Sequence, residues 1–313
     1  MNTDILIAGE CLIDFIPNQP GPLERVEGFD RRAGGAPANV AVRLADLGPA
    51  PLLWTRLGGD PFGNYLERTL DDHGIPGRFV RRDREARTAL AFVAHDEDAD
   101  RAFTFYREET ADTRFEPGVV PDSVLAELSW VAFGGVCLTT DPARSALLDL
   151  AARARDRDSE VVFDPNARPE LWDCGFPAAF REACKHASVV VASPEDLEYA
   201  GLCGAHEELL RSVCEMGPHT AVITRGEEGA VARATESAPW GKARAEHGGF
   251  TVDVVDTTGA GDAFTAGLIR GLADGRSLSE SLAFANATGA VTTTSRGAMS
   301  VDISREAVEA LLG

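Results

Sequence analysis

The fold is decided by the ten residues Val255–Phe264, which read VDTTGAGDAF. The pattern predicts a strand over Thr251–Val255 before the turn and a helix over Ala260–Leu272 after it. A small, glycine-rich turn that opens directly into a helix is typical of an anion site, because the first helical N–H groups lack partners and the helix dipole adds positive potential. Gly259 and Gly261 carry no Cβ, so the backbone can approach an anion closely.

Asp262 is the unusual member of this segment, because a carboxylate in an anion site repels a phosphate. It fits there if it takes a proton from the group that attacks the phosphate, as a general base does. The alternative is an N-capping Asp at an ordinary helix start, which needs neither two glycines nor two threonines. The segment is not a P-loop, because G-x-x-x-x-G-K-[ST] is absent, and Phe264 breaks the dinucleotide pattern G-x-G-x-x-G.

A second glycine pair, Gly34-Gly35, leads into a helix that is predicted over Pro37–Leu47. Asn39 lies in its first turn and offers both a donor and an acceptor to a hydroxyl group. Asp14 follows the first predicted strand, and a carboxylate binds vicinal hydroxyls well. Taken singly, each feature is also explained by a turn, a helix cap or a solvated side chain.

Strand and helix patterns alternate along most of the chain and predict an α/β protein with a parallel sheet covered on both faces. Two strand-like stretches, about 12–33 and 88–110, break this rhythm, and the second reads as a hairpin around the polar turn Asp96–Asp100. We expect them to form a small sheet inserted into a single 1–313 domain, either as a lid over a site or as a surface hairpin without motion. The remaining predicted strands are Asp4–Ala8, Leu52–Leu57, Trp130–Phe133, Val161–Phe163, Val189–Val191 and Ala221–Thr224, and the remaining helices include Phe62–His73, Ala143–Ala154, Glu195–Tyr199, Leu278–Thr294 and Ile303–Leu312.

The composition excludes several classes of protein. The chain has 313 residues and carries 30 Lys and Arg against 50 Asp and Glu, a formal charge of −20. An acidic surface repels nucleic acid, and no uncharged apolar run approaches the about 20 residues that span a bilayer, so we expect neither nucleic-acid nor membrane binding. Lys185 and Lys242 are the only lysines, which fits either a halophilic protein adapted to a salty cytoplasm or a genome biased towards Arg codons. The N-terminus reads as a strand and the six cysteines form no C-x-x-C pair, so we expect a cytoplasmic protein without a structural transition metal.

Taken together, the two glycine-rich segments resemble the two signatures of the PfkB/ribokinase family of carbohydrate kinases. The first matches as Gly34-Gly35-x-x-x-Asn39-x-Ala41, and the second as Asp256-Thr257-x-Gly259-Ala260-Gly261-Asp262, continuing to Ala266-Gly267-Leu268-Ile269. The resemblance covers essentially the whole chain. It implies a ribokinase-like three-layer α/β/α sandwich with a central, mainly parallel sheet and a small inserted β-sheet lid.

Within the family, three segments look most like those of fructokinases, which convert ATP and D-fructose to fructose 6-phosphate and ADP. They are Gly9–Pro17 (GECLIDFIP), Phe103–Arg107 (FTFYR) and Asp164–Trp172. 2-Keto-3-deoxygluconate kinases share the Tyr-Arg and Asp-x-Asn-x-Arg elements, and a ketohexokinase would form fructose 1-phosphate with the same machinery. A nucleoside kinase fits these segments less well. An inactive kinase-like binding protein would be expected to have lost Asp262 or its glycine turn, and both are present.

The resemblance also implies a role for each matching residue. Asp262 is expected to be the general base, and the N–H groups of Gly259, Ala260 and Gly261 to hold the transferred phosphoryl group. ATP is expected with Mg²⁺, and K⁺ as an activator. The residues expected to bind the sugar are Asp14, Gly34, Gly35, Asn39, Phe103, Phe105, Arg107 and Arg168, although a structural salt bridge would explain Arg168 nearly as well. The residues expected to bind the nucleotide are Ser193, Thr224, Arg225, Gly226, Gly229, Gly261 and Asn286. Asp196 is expected to bind Mg²⁺ through water, and the residues expected to bind a monovalent cation are Asp256, Thr258, Thr292, Ser295 and Gly297.

One segment departs from the family pattern. The family usually carries Asn-x-x-Glu to organise Mg²⁺ and phosphate, whereas this chain has Ser193-Pro194-Glu195-Asp196. The carboxylate is kept but shortened by one methylene, so we expect Mg²⁺-dependent activity to be retained. Lid sheets in this family often pair, which implies a homodimer in which the apolar residues Leu90, Phe92, Phe103 and Phe105 either form the interface or close over the sugar.

Overall fold

A nine-stranded sheet forms the centre of the protein. The structure is a computed structural model that describes residues 4–95, 101–172, 174–299 and 303–313, so the predicted turn Asp96–Asp100 lies outside the described residues. The strands are β1 Ile5–Ala8, β2 Leu12–Pro17, β3 Phe29–Gly34, β4 Leu52–Gly58, β5 Val80–Asp83, β6 Leu90–His95, β7 Arg101–Tyr106, β8 Trp130–Gly134, β9 Glu160–Asp164, β10 Val189–Ala192, β11 Thr220–Thr224, β12 Ala230–Ala234 and β13 Ala243–His247. The central sheet has the order β13-β12-β11-β10-β9-β8-β1-β4-β5, and it is parallel from β11 to β5 with β12 and β13 antiparallel at one edge.

Both faces of this sheet are covered by helices, which confirms the predicted three-layer α/β/α arrangement. The helices are α1 Ala36–Leu47, α2 Pro61–Asp72, α3 Asp122–Leu125, α4 Ala143–Arg155, α5 Phe176–His186, α6 Pro194–Tyr199, α7 His206–Glu215, α8 Ala260–Ala273, α9 Leu278–Thr293 and α10 Arg305–Leu312. Successive residues of β1 serve opposite layers: Leu6 packs in the core under α4, α5 and α7, whereas Ile7 packs in the core under α1, α8 and α9. Burial on both faces explains why the central strands read as continuous apolar runs. No helix in the described ranges is both long enough and apolar enough to span a bilayer.

The chain connects these strands so that a crevice opens at one end of the sheet. Strand β1 lies between β4 and β8, so the chain leaves it first towards one edge and later towards the other. Ligands of such sheets bind outside the carboxyl ends of the strands at this reversal. Polar residues stand at these ends, among them Glu10 after β1, Asp164 at the end of β9, Ser193 after β10 and Thr224 at the end of β11.

The two strand-like stretches form a separate four-stranded sheet with the order β3-β2-β6-β7, as expected. Strand β2 pairs antiparallel with β3 and parallel with β6, and β6 pairs antiparallel with β7. Because side chains alternate across a strand, the register places Phe103 and Phe105 on one face and Leu90 and Phe92 on the other. The four apolar residues predicted to form the dimer interface or to close over the sugar therefore do not form one surface.

The strand predicted over Thr251–Val255 is wrong, because this segment is irregular in the structure. Val254 and Val255 are 60% and 56% exposed, so the alternating Thr and Val residues bury no face against a neighbour. The strand that precedes the glycine-rich turn along the chain is β13, Ala243–His247. The last helix begins at Arg305 rather than Ile303, because Ser304 caps it by accepting a hydrogen bond from the Ala307 N–H.

Candidate active site

The glycine-rich turn before α8 is held by one carboxylate. Asp256 Oδ1 accepts hydrogen bonds from the Thr258 N–H and hydroxyl at 2.9 and 2.6 Å, and its Oδ2 accepts one from the Gly297 N–H at 3.0 Å. Gly259 has φ +78°, and a Cβ there would lie 2.6 Å from the Ala298 Cβ, so the position requires glycine. The Ala260 N–H already donates to the Thr257 carbonyl at 3.2 Å, so one of the three predicted anion-binding groups has a partner within the turn.

Asp262 lies in the first turn of α8 and is oriented by α1. Asn39 Nδ2 donates to Asp262 Oδ2 at 2.7 Å, across two segments far apart in the sequence. Burial raises the pKa of the Asp262 carboxyl, while Asn39 and the positive charges of Arg168 and Arg43 oppose this shift. The other amide atom of Asn39, Oδ1, is buried without a partner in the described structure. Asn39 therefore fixes the carboxylate and keeps one acceptor for another group.

The predicted sugar residues converge beside this pair. A cavity of about 120 Å³ is lined by Asp14, Gly35, Asn39, Phe103, Phe105, Arg168, Thr258, Gly259 and Asp262 together with Glu10, Leu12, Ala36, Val136 and Asn166. Burial raises the pKa of Asp14 to about 7, with the negative charges of Asp262 and Glu10 adding to the shift and Arg168 opposing it. Gly34 does not line the cavity. A Cβ on Gly34 would lie 2.0 Å from Asp14 Oδ2, so this glycine makes room for the Asp14 carboxylate.

Arg168 and Arg107, which are both predicted to bind the sugar, have different surroundings. Arg168 lines the cavity, and its guanidinium carbon lies 5.1 Å from the centre of the Phe103 ring. Arg107 is not among the residues that line it, so its predicted role in closing over the sugar from the small sheet stays a prediction. Its guanidinium is buried against Asp112, 2.5 Å from Nε, and Thr139, 2.7 Å from Nη1, because a buried cation needs an anionic partner.

A second cavity, of about 250 Å³, adjoins the first at Asn166, Arg168 and Asp262. Asp196 lies in its wall at the start of α6, where Ser193 and Asp196 form a reciprocal capping box. The remaining oxygen, Asp196 Oδ1, accepts a hydrogen bond from the Ala167 N–H at 2.7 Å. The substituted Ser193 thus has a structural role as the helix cap.

Asp164 lines the same second cavity and was not among the predicted site residues. Its Oδ2 accepts a hydrogen bond from the Thr265 hydroxyl at 2.8 Å. Burial raises the pKa of Asp164 to about 8, and the negative charges of Asp196 and Asp262 raise it further. Carboxylates crowded in one cavity repel each other, and a bound cation would relieve that repulsion.

A third cavity, of about 600 Å³, continues from the second at Thr224 and Gly261. Gly226, Gly229 and Asn286 line it as predicted for the nucleotide, and Phe250, Val252 and Val254 add apolar surface. Arg225 is not among the residues that line this cavity, so its predicted contact with the nucleotide stays a prediction. Its side chain pairs with Glu246 at 3.0 Å and donates to the Glu228 carbonyl, because Glu246 on the neighbouring strand β13 offers it a carboxylate.

The residues predicted to bind a monovalent cation belong to two segments that meet beside the turn. Asp256 and Thr258 contact each other, and Asp256 contacts Gly297, as described above. The Ser295 N–H donates to the Thr292 carbonyl at 3.4 Å, and the Thr292 hydroxyl donates to the Thr288 carbonyl at 2.9 Å. The described residues contain no group of three or more His, Cys, Asp and Glu side chains with the arrangement of a metal site. The monovalent-cation site stays a prediction.

The three cavities thus lie in a row in which each shares wall residues with the next, and Asp262 lines the first two. A model of the family described as "pfkB family carbohydrate kinase" matches residues 2–304. The chain belongs to this family. A probable chloroplastic fructokinase-6 of Arabidopsis thaliana is 35% identical to this pfkB family kinase over 321 residues, which cover 98% of this chain and 82% of the relative.

Solved structures agree with this assignment. Fructokinase from Xylella fastidiosa with bound ATP superposes on this pfkB family kinase with a TM-score of 0.85 at 29% identity, covering 98% of this chain and 97% of that one. A double mutant of fructokinase from Vibrio cholerae O395, in a form with fructose, ADP and potassium bound, superposes with a TM-score of 0.84 at 28% identity, covering 99% and 98%. These neighbours confirm the ribokinase-like fold class.

Proposed function

We propose that this pfkB family kinase is an ATP-dependent fructokinase that transfers the γ-phosphoryl group of ATP to the 6-hydroxyl of D-fructose. The observation that carries the proposal is the row of three joined cavities with Asp262 between the small one and the larger two. Such a row suits a small polyol at one end and a nucleotide at the other, with an ionisable oxygen where the reacting groups meet. The choice of fructose is supported by the fructokinases among the relatives and structural neighbours.

The small cavity has the chemistry to bind a sugar. Asp14 offers two acceptor oxygens, and the unpaired Oδ1 of Asn39 offers a third. Leaving a buried acceptor without a partner costs free energy, so a sugar hydroxyl that donates to Asn39 Oδ1 gains affinity. Phe103 and Phe105 cover the same space from the small sheet, and we propose that this sheet is a lid that excludes water from the reaction.

Asp262 is placed to act as the general base. It accepts the proton of the attacking hydroxyl on a carboxylate oxygen, while Asn39 holds the other oxygen in place. A pKa raised by burial makes this carboxylate a stronger proton acceptor than one in water. As the hydroxyl oxygen attacks phosphorus, negative charge grows on the phosphoryl oxygens next to the turn, where the Gly259 and Gly261 N–H groups and the N-terminus of α8 stabilise it.

The second cavity fits a hard divalent cation. Asp164 and Asp196 supply carboxylate oxygens, the ligand type that Mg²⁺ prefers, and the pKa of Asp164 is raised mainly by burial, with the negative charges of Asp196 and Asp262 adding to the shift. When bound with ATP, Mg²⁺ would neutralise charge on the phosphates. Asp196 would reach it through water, since both of its oxygens already accept backbone hydrogen bonds. We also propose K⁺ at the turn, supported by the potassium-bound Vibrio relative.

The face of the small sheet that carries Leu90 and Phe92, opposite the face with Phe103 and Phe105, supports the proposed homodimer. Phe92 stacks on Phe15 at a centroid distance of 4.7 Å, and Tyr106 packs on Phe92 while 60% exposed. We propose that a second copy of this chain covers this face, which light scattering of the purified protein tests directly. The cytoplasmic location remains a proposal from the sequence.

A coupled assay tests the proposed function. Fructose, 2-keto-3-deoxygluconate, ribose and adenosine are each supplied with ATP, Mg²⁺ and K⁺, and release of ADP is measured. We expect the highest kcat/KM with fructose. Preference for 2-keto-3-deoxygluconate would replace the proposed substrate, and turnover of none of the four would support an inactive binding protein.

A further inference from the structure

A buried chain of polar side chains lies beside the small cavity. Its members are Glu10, Cys137, Arg107 and Asp112, and none of them is more than 7% exposed. Glu10 follows β1, Arg107 and Asp112 follow β7, and Cys137 follows β8. Burying ionisable groups costs free energy unless each finds a partner, so the contacts within this chain matter.

At one end of the chain, Glu10 supports the start of α1. Glu10 Oε1 accepts a hydrogen bond from the Ala36 N–H at 3.2 Å. A Cβ on Gly35 would lie 2.6 Å from the Glu10 carbonyl oxygen, so the two backbones are in close contact. The same first turn carries Asn39, which holds Asp262. Glu10 is therefore in direct contact with the start of the helix that carries Asn39.

At the other end, the chain reaches the strand that covers the sugar cavity. Cys137 Sγ donates to Glu10 Oε2 at 3.5 Å, and Arg107 Nη2 donates to Cys137 Sγ at 3.7 Å. Arg107 is fixed in turn by Asp112 and Thr139. It directly follows Tyr106, the last residue of β7, and the same strand carries Phe103 and Phe105 over the cavity.

We propose that Glu10 is a positioning residue that links the position of β7 over the sugar cavity to the positions of the Asn39 and Asp262 side chains. The proposal rests on the fructokinase function and adds a residue to its machinery. Glu10 also lines the small cavity, so a direct contact with the sugar is the competing role. The two roles differ in one respect. Positioning acts through the chain of buried polar side chains and requires Cys137, whereas a direct contact between Glu10 and the sugar does not.

The test compares E10Q, C137A and the double variant in steady-state kinetics. Glutamine keeps the shape of Glu10, but its oxygen can serve only one of the two contacts. Each single change is expected to raise the KM for fructose about threefold to tenfold, the range for one lost hydrogen bond, and to leave the KM for ATP unchanged. The double variant should raise it by less than the product of the single effects, because both changes break the same chain.

C184A is the matched control, because Cys184 is also a fully buried cysteine but packs into the apolar core from α5. It should lower the melting temperature without changing the KM for fructose. If C137A behaves like C184A while E10Q raises the KM for fructose, Glu10 contacts the sugar directly and the proposal is overturned. If both E10Q and C137A change only stability, the role is structural and the proposal is overturned as well.

Three further results keep the test decisive. If E10Q does not fold, C137A and R107K carry the same prediction, since lysine keeps the charge of Arg107 but loses the forked contacts. If the wild type phosphorylates a different sugar, the fructokinase proposal fails alone, and the series is measured with that sugar. If the wild type phosphorylates fructose and C137A leaves the KM for fructose unchanged, the Glu10 proposal fails alone.

Discussion

Replacing the proposed base by its amide, Asp262→Asn, is expected to abolish most of the turnover while leaving the site intact. Asparagine has nearly the same shape and can still accept the hydrogen bond from Asn39 Nδ2, which spans 2.7 Å in the wild type. It cannot take the proton of the attacking hydroxyl. Removing a general base typically lowers the rate about 10²–10⁴-fold, which corresponds to roughly 3–5 kcal/mol in the activation barrier.

The structure also predicts what this variant does to stability. Burial raises the pKa of Asp262, so the folded state disfavours its charged form, and the group opposes folding at a pH above its folded pKa. A neutral asparagine removes that penalty. It also removes the electrostatic repulsion between Asp262 and the carboxylates of Asp14 and Asp164, whose pKa values are raised in part by Asp262. The free energy of unfolding at pH 8 should therefore be no lower than that of the wild type.

The assay is ADP release with saturating fructose and ATP, with nucleotide affinity measured by calorimetry. D262N should show kcat lowered by two to four orders of magnitude at about the wild-type affinity for ATP. Asp274→Asn is the matched control, because Asp274 caps the opposite end of the same helix and pairs with Arg270 and Arg305 away from the cavities. An unchanged kcat in D262N would refute the assignment of Asp262 as the base.

Three further predictions follow from charges elsewhere in the protein. The KM for fructose should rise as the pH falls from 8 to 6, because Asp14, with a pKa of about 7, takes up a proton and loses an acceptor; a KM that stays flat over this range contradicts its role. Burial opposes the ionisation of Glu160, but its 2.9 Å contact with His219 holds the pKa of Glu160 below its usual value. The ionised Glu160 therefore stabilises the fold at neutral pH, and this stabilisation is lost as the pH falls through the folded-state pKa. Urea unfolding should show E160Q less stable than the wild type by about 1–2 kcal/mol at pH 7 and equal to it in acid. Finally, a charge of −20 repels ATP at long range, and salt screens that repulsion, so activity should persist from low to molar KCl; a steep fall in both catalysis and folding contradicts the halophilic interpretation.

The central sheet and the small sheet were predictable because their sequences carry local patterns. Short apolar runs identify β1, β4 and β8 to β11, and the two interruptions of the pattern identify the small sheet. Strands β5 and β13 at the edges of the sheet, and β12 beside β13, were not predicted, since β5 and β13 carry few large apolar residues and the only large apolar residue of β12 is Val231. The strand predicted over Thr251–Val255 is the opposite error, because an alternating pattern does not show whether a neighbouring strand is present to pair with it.

The site was predictable where residues lie in glycine-rich segments and not where they depend on packing across the fold. Asn39 and Asp262 belong to recognisable segments, and the structure joins them by a hydrogen bond. Glu10 lies just after β1 and Asp164 is the last residue of β9, and only the packing of the fold shows that these single acidic residues line cavities. Arg107 was assigned to the sugar from its sequence context, which does not show that its guanidinium pairs with Asp112 in the structure.

The measurement that tests the central claim most directly is NMR of the product formed by the wild type from ATP and D-fructose. The row of cavities around Asp262, together with the similarity to fructokinases, predicts a single phosphate ester at the C6 oxygen, released with one equivalent of ADP. A phosphate at C1, or ADP formed without any sugar phosphate, would contradict it.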